Sequence, residues 1–171
     1  MRITSEQIDA IVDAFQNFQI DENTPSLPFN VESLQERYNA IINPLLDRAQ
    51  LDEETLGLMQ QLLLINEYQV NSADGLYFFF NIFGDTIGIF GLGEEGGNFK
   101  VLRLCFTVPE NQRESQTLDF VFHAFTKVFL PESDDVEFIT ALRSNPEVNR
   151  NGFVFSMAQE GNLLTVTAFA E

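Results

Sequence analysis

Cys105 and His123 are the only thiol and the only imidazole in the chain, so a Cys–His nucleophile pair is the one thiol mechanism open to it. That mechanism needs a depressed thiol pKa, and neither a helix N-terminus nor a basic cluster adjoins Cys105 in sequence. Leu104 and Phe106 flank it in a strand-like run, where a small buried hydrophobe is expected instead. With one Cys and one His no structural zinc set can be assembled.

A second candidate is Gly91-Leu92-Gly93-Glu94-Glu95-Gly96, which satisfies the G-x-G-x-x-G spelling of a dinucleotide-binding loop. Such a loop works because its glycines bring a pyrophosphate to the positive end of a helix that begins inside the motif. Here the motif is followed by NFKVLRLCF, a strand pattern, and Glu94 and Glu95 would set two carboxylates against the phosphates. The tract is therefore expected to turn the chain between two strands, and no cofactor is expected.

Carboxylates are the abundant functional group: 26 acidic against 9 basic residues give a net charge of −17. Two groups stand out, Asp52, Glu53 and Glu54, and Glu132, Asp134, Asp135 and Glu137. Neither has the alternating spacing and central glycine of an EF-hand, and no metal site is expected. A glycosidase-type carboxylate pair would lack a tryptophan platform, since the chain has no Trp. Acids in the first turn of a helix favour its dipole and project together into solvent. These seven residues are accordingly the candidate partner-binding surface, and no catalytic residue is assigned.

The elements that would position these groups change character near residue 70. Residues 1–74 carry 13 acids and 3 bases, residues 75–171 carry 13 acids and 6 bases, and 15 of the 18 phenylalanines lie in the second segment. The first segment reads as three helices. Thr4 caps one with Ile8, Ile11, Val12, Phe15 and Phe18 on one face. Asn30 caps a second with Leu34, Tyr38, Ile41, Ile42 and Leu45 inward, and Pro44 is expected to kink or end it. Asp52 caps a third with Leu56, Met59, Leu62, Leu63 and Tyr68 on its apolar side.

The second segment reads as a three-stranded meander, Leu76–Phe83, Thr86–Leu92 and Phe99–Val108. A helix capped by Ser115 follows, with Leu118, Val121, Phe122, Phe125, Val128 and Phe129 inward, then a shorter one from Ser133 to about Arg143. A hairpin, Gly152–Gln159 and Leu163–Phe169, closes the chain. The fold class is α+β: a five-stranded, mainly antiparallel sheet (βββ-αα-ββ) with three N-terminal helices and two inserted ones. All lie in one domain over 1–171, helical across residues 1–70 and Phe-rich across residues 75–171. In Leu76–Phe83 both Leu76, Phe78, Phe80, Ile82 and Tyr77, Phe79, Asn81, Phe83 are largely apolar, so both sheet faces need cover. Either the N-terminal helices take one face and the inserted helices the other, which is favoured, or one face is kept for a partner.

The −17 balance disfavours nucleic acid and anionic membrane as partners and attracts a basic protein. One cysteine suits a reducing compartment, no run reaches the length of a membrane span, and the N-terminus lacks a signal-peptide core. A cytoplasmic location is expected unless a leader precedes the sequence. The expected function is a non-enzymatic acidic interaction protein, of chaperone, adaptor or immunity/inhibitor type, acting as monomer or homodimer. The alternatives are a small-ligand domain with an apolar pocket between the N-terminal helices and the sheet, and a carboxylate-based enzyme. In layout, the βββ-α-ββ order over about residues 75–169, the size and the low pI are similar to those of small acidic chaperones of bacterial secretion systems. No motif is matched and the C-terminal pairing helix of those proteins has no counterpart here, so no residue is carried over.

Overall fold

A computed structural model describes residues 3–16, 20–21 and 23–171, with the side chains of Val12, Phe15 and Gln16 outside the description. Five helices and seven strands follow in the order α1 (Ser5–Gln16), α2 (Val31–Arg48), α3 (Glu53–Leu63), β1 (Gln69–Ala73), β2 (Leu76–Phe83), β3 (Ile87–Glu94), β4 (Phe99–Thr107), α4 (Gln112–Phe129), α5 (Asp135–Ser144), β5 (Val148–Arg150), β6 (Phe153–Glu160) and β7 (Leu163–Ala170). The strands form one antiparallel sheet ordered β1-β2-β3-β4-β7-β6-β5.

The class is α+β as expected, but the sheet has seven strands, not five. The two additional ones, β1 and β5, are its outer strands. Each is joined to its neighbour through two residues with positive φ, Asp74-Gly75 (55° and 79°) and Asn151-Gly152 (56° and 82°). That geometry is the type I′ hairpin turn, whose twist matches the flanking strands. Both strands escape a period-based reading because they are short and polar: QVNSA is exposed at every position, and β5 has three residues. Within residues 75–169, where the likeness to secretion chaperones was one of layout, β5 is the one addition, making the order βββ-αα-βββ.

The helices form where their caps allow. Thr4 and Gln7 exchange backbone-to-side-chain hydrogen bonds of 3.0 and 3.1 Å ahead of α1. Asn30 and Ser33 do the same for α2. Within α2 the buried set is Leu34, Tyr38, Ile42 and Leu46, a spacing of four that selects Leu46 over the expected Leu45. Pro44 neither ends nor bounds this helix. It lies on the exposed side, where water can satisfy the Ala40 carbonyl that its missing N–H leaves free. Tyr68, expected on α3, lies beyond its end, with its ring 5.5 Å from that of Phe79. The caps of α4 and α5 are Asn111 and Asp134, not Ser115 and Ser133. Asn111 wins because its side chain accepts from Glu114 N while Glu114 reaches back to Glu110 N.

The helices are shared between the sheet faces differently from the expectation. α2, α3, α4 and α5 all pack on one face, over Tyr77, Phe79, Phe83, Ile89, Phe99, Leu102, Leu104 and Phe155. The opposite face carries Phe78, Phe90, Leu92, Val101 and Cys105, and α1 covers it through Ile11 and Ile8 together with Ile20. The N-terminal helices are thus split between faces, because β1 follows α3 directly and keeps α2 and α3 on the α4 side. Of the other positions expected inward on α1, the Val12 and Phe15 side chains and Phe18 lie outside the described residues. On the four-helix face, Phe129 is the hub of an aromatic cluster, with ring centroids 5.4 Å from Phe29, 5.2 Å from Phe125, 5.1 Å from Phe153 and 5.5 Å from Phe155. Among the described residues no helix is long and apolar enough to cross a membrane.

Candidate functional site

Cys105 and His123 do not meet. The thiol is buried on the α1 face of β4, whereas His123 sits half-exposed on α4, across the sheet. Burial pushes the Cys105 thiol up to about 11, against a weaker pull from the Thr165 hydroxyl, which donates to Sγ at 3.6 Å. This thiol is protonated at neutral pH and belongs to the core. His123 Nδ1 lies 2.7 Å from Asp135 Oδ2, tying α4 to the first turn of α5.

The GLGEEGG tract is strand first and turn second. Gly91, Leu92, Gly93 and Glu94 finish β3, and the reversal occurs over Glu95–Asn98, with Gly96 at φ 79° and Gly97 N donating to Glu94 O at 2.9 Å. β4 follows, so no helix start faces the glycines. Their spacing has a packing cause. A Cβ on Gly91 would lie 2.4 Å from Phe99 Cε1, and one on Gly93 would lie 2.5 Å from Tyr77 Cζ. Two aromatic rings lie flat on the backbone at alternate residues of one face, which is a G-x-G spacing set by the strand period.

The seven acidic candidates fall at two helix starts with different partners. Asp52 caps α3: its carboxylate accepts from Thr55 N at 2.8 Å and from Thr55 Oγ1 at 3.0 Å, and these bonds hold it below the usual carboxylate range. Glu53 and Glu54 beside it are exposed. At α5, Asp134 caps the helix by accepting from Glu137 N at 2.9 Å, and Asp135 faces His123. Glu137 makes a bidentate pair with Arg150, both contacts 2.6 Å, which keeps its carboxyl below the usual range. Glu132 alone of this group is exposed without such a role in the helix start. The structure brings the four together at one end of the molecule but uses three of them for internal contacts. Among the described residues no group of three or more His, Cys, Asp or Glu could hold a metal ion.

A larger share of the described cations than of the described acids is buried or half-buried. Lys100 is 5% exposed, donates to Thr24 O at 2.6 Å and lies 4.0 Å from Glu94. Lys127 donates to Ser133 O, Arg37 lies over the Phe29 ring at 4.9 Å, and Arg150 is held by Glu137 and by the Phe138 ring. Arg103 is half-buried on the α1 face, where burial lowers its pKa. Of the eight described bases, Lys100 is buried and Arg103, Lys127 and Arg150 are half-buried, while the other four are exposed. Among the described carboxylates only Glu94, Glu114 and Asp135 are even half-buried.

No protein-family model, curated protein or solved structure matches this chain. Its chemistry must be argued from its own geometry. The alternative of an apolar ligand pocket placed it between the N-terminal helices and the sheet. Under α2 and α3 that space is filled by Leu34, Tyr38, Ile42 and Leu63 against Phe79 and Phe83, whereas between α1 and the sheet a crevice of about 280 Å³ is lined by Ala10, Ile11, Ala14, Arg103, Cys105 and Leu163. Other surface crevices among the described residues have mixed polar and apolar linings, with volumes of 270 to 430 Å³. One of about 350 Å³ runs along β1 and is lined by Val70, Ser72, Tyr77, Glu32, Glu95 and the glycine turn. Neither this crevice nor the strand beside it was among the sequence-derived candidates. The signal that could have located it is Asp74-Gly75, a two-residue hairpin turn that implies a strand on its N-terminal side.

Proposed function

We propose that the protein is a non-enzymatic, acidic interaction protein that docks onto a basic protein partner. The supporting observation is the excess of exposed carboxylates described above: all but three of the described carboxylates are exposed, whereas four of the eight described bases are buried or half-buried. With a net charge of −17 the outward field is that of the acids, and such a field accelerates encounter with a positive surface. The thiol and imidazole lie on opposite faces of the sheet and the glycine tract holds aromatic rings, so the Cys–His pair and the dinucleotide loop are not what supports a function here.

The α3 start, with Asp52, Glu53 and Glu54, is the better of the two acidic groups for steering, because reversing Glu53 and Glu54 leaves the cap intact. The test is to isolate a partner by affinity capture at low salt and follow association by surface-based kinetics. The on-rate should fall steeply as salt rises while the off-rate changes less, and Glu53→Lys with Glu54→Lys should lower it further. An on-rate indifferent to salt and to charge reversal at both helix starts would refute electrostatic docking.

A further inference from the structure

We propose that the outer edge of β1 is the docking site for an extended, basic segment of a partner protein, which joins the sheet as an eighth strand. This rests on the acidic-binder reading and adds to it the place and form of the contact. β1 pairs with β2 in regular register from Gln69↔Phe80 to Ala73↔Leu76, and among the described residues no strand lies on its other side. The two-residue turn at Asp74-Gly75 makes Ala73↔Leu76 a hydrogen-bonded pair, so Ala73, Asn71 and Gln69 point their N–H and C=O groups at β2. The intervening Val70 and Ser72 then present theirs outward, an open ladder ready for another strand.

Edge strands usually carry a device against such pairing: a proline, a bulge or a charge within the strand. QVNSA has none of these, and all five of its residues are exposed. The charges sit around it instead, and they share one sign. Glu67 precedes the strand, Asp74 follows it, and Glu32 and Glu95 line the crevice that the Val70 and Ser72 side chains enter. Lys100, on β4, is buried and engaged with Thr24. A second copy of this edge would meet the same acids and be repelled, whereas a strand bearing lysine or arginine on one side and an apolar residue on the other is matched. Val70, 42% exposed, offers the apolar contact, and Glu32 and Glu95 offer the charged one. Recognition of this kind draws affinity from main-chain bonds and selectivity from alternate side chains, which suits a short, polar edge strand.

The test uses the full chain, isotopically labelled, and a seven-residue synthetic peptide alternating valine with lysine or arginine. Saturating peptide should slow amide hydrogen exchange at Val70 and Ser72 by about tenfold or more, as expected for amides that enter a ladder. The same peptide N-methylated at alternate residues keeps its charge but loses backbone donors, and should bind about tenfold more weakly. Ser72→Pro removes one outward N–H while sparing the bonds to β2, and should weaken the plain peptide by a similar factor at unchanged melting temperature. A peptide with glutamate in place of the basic residues should not bind. Equal binding of plain and N-methylated peptides, or protection that falls away from β1, would overturn the edge site and leave the acidic-binder reading standing. Binding of the glutamate peptide, or a dimer of the free protein that Ser72→Pro abolishes, would overturn the basic occupant.

Discussion

Replacing Gly91 by alanine tests whether the glycine tract is a packing device. The new methyl would be 2.4 Å from Phe99 Cε1, 2.7 Å from Cδ1 and 2.9 Å from Leu102 Cδ2, where ordinary contact begins near 3.4 Å. Phe99 cannot swing away freely: it is fully buried, with its ring 5.4 Å from Tyr77 and 5.5 Å from Phe79. Overpacking of this kind costs about 1–3 kcal/mol. Alanine recovers about 0.5–1 kcal/mol of the backbone entropy that glycine loses in a strand, so Gly91→Ala should destabilise by about 1 kcal/mol at mid-range and by about 2.5 kcal/mol at most. For a chain of this size that is a fall in Tm of about 2–4 °C per kcal/mol. The assay is urea unfolding of Gly91→Ala, Phe99→Leu and the double variant, with Gly57→Ala as control. Gly57 lies in α3 with nothing within 4 Å of its added Cβ, so alanine there should stabilise. In the double variant the smaller side chain relieves the clash, giving a favourable coupling of about 1 kcal/mol. A Gly91→Ala protein as stable as the wild type, or effects of Gly91→Ala and Phe99→Leu that simply add, would refute the ring-over-glycine account.

Two further expectations concern the core. Thiol reagents should label Cys105 slowly in native buffer and quickly in denaturant; the folded thiol's pKa is raised to about 11 from 9.0, so its contribution to stability is complete below pH 9 and is lost between pH 9 and 11, and Cys105→Ala should flatten that stretch of the stability–pH curve relative to wild type. Phe129→Ala removes the hub ring of the aromatic cluster, 1% exposed and in contact with four other rings, and should cost about 3–5 kcal/mol by chemical denaturation.

Periodic, capped segments were the legible portion of this chain. Leu76–Phe83 is found at the residues its aromatic run marks out, and Asn30 and Asp52 cap the helices they precede. Legibility fails where a segment contributes little apolar surface. β1 is held by backbone bonds to β2 rather than by burial, so its side chains leave no period to read, and only the turn chemistry of Asp74-Gly75 betrays it. Cap choice at α4 turned on two bonds, Glu114 N to the Asn111 side chain and Glu110 N to the Glu114 carboxylate, which a search for the nearest Ser or Thr passes over. The distribution of helices between faces is a matter of connection, not composition. For the candidate surface, sequence located the two acidic helix starts but could not show that Asp135 and Glu137 answer to His123 and Arg150, groups 12 and 13 residues away.

Of the six strand pairings, five join strands that are consecutive in sequence; the exception is β4 with β7, from Val101↔Phe169 to Thr107↔Leu163. The seam at the centre of the sheet therefore has the longest wait between its two strands as the chain is made. β1–β4 can meander together early, yet the open side of β4, with Val101, Leu104, Cys105 and Phe106 in it, waits for β7 to leave the ribosome. At about 5–20 residues per second the delay between the two is roughly 3–12 s. Over that interval the nascent protein presents as an edge a strand that the finished fold buries at eight of its nine residues, and its outer, polar edge is already built. The order of synthesis thus places the aggregation hazard in the growing chain, and the arrival of β7 closes it.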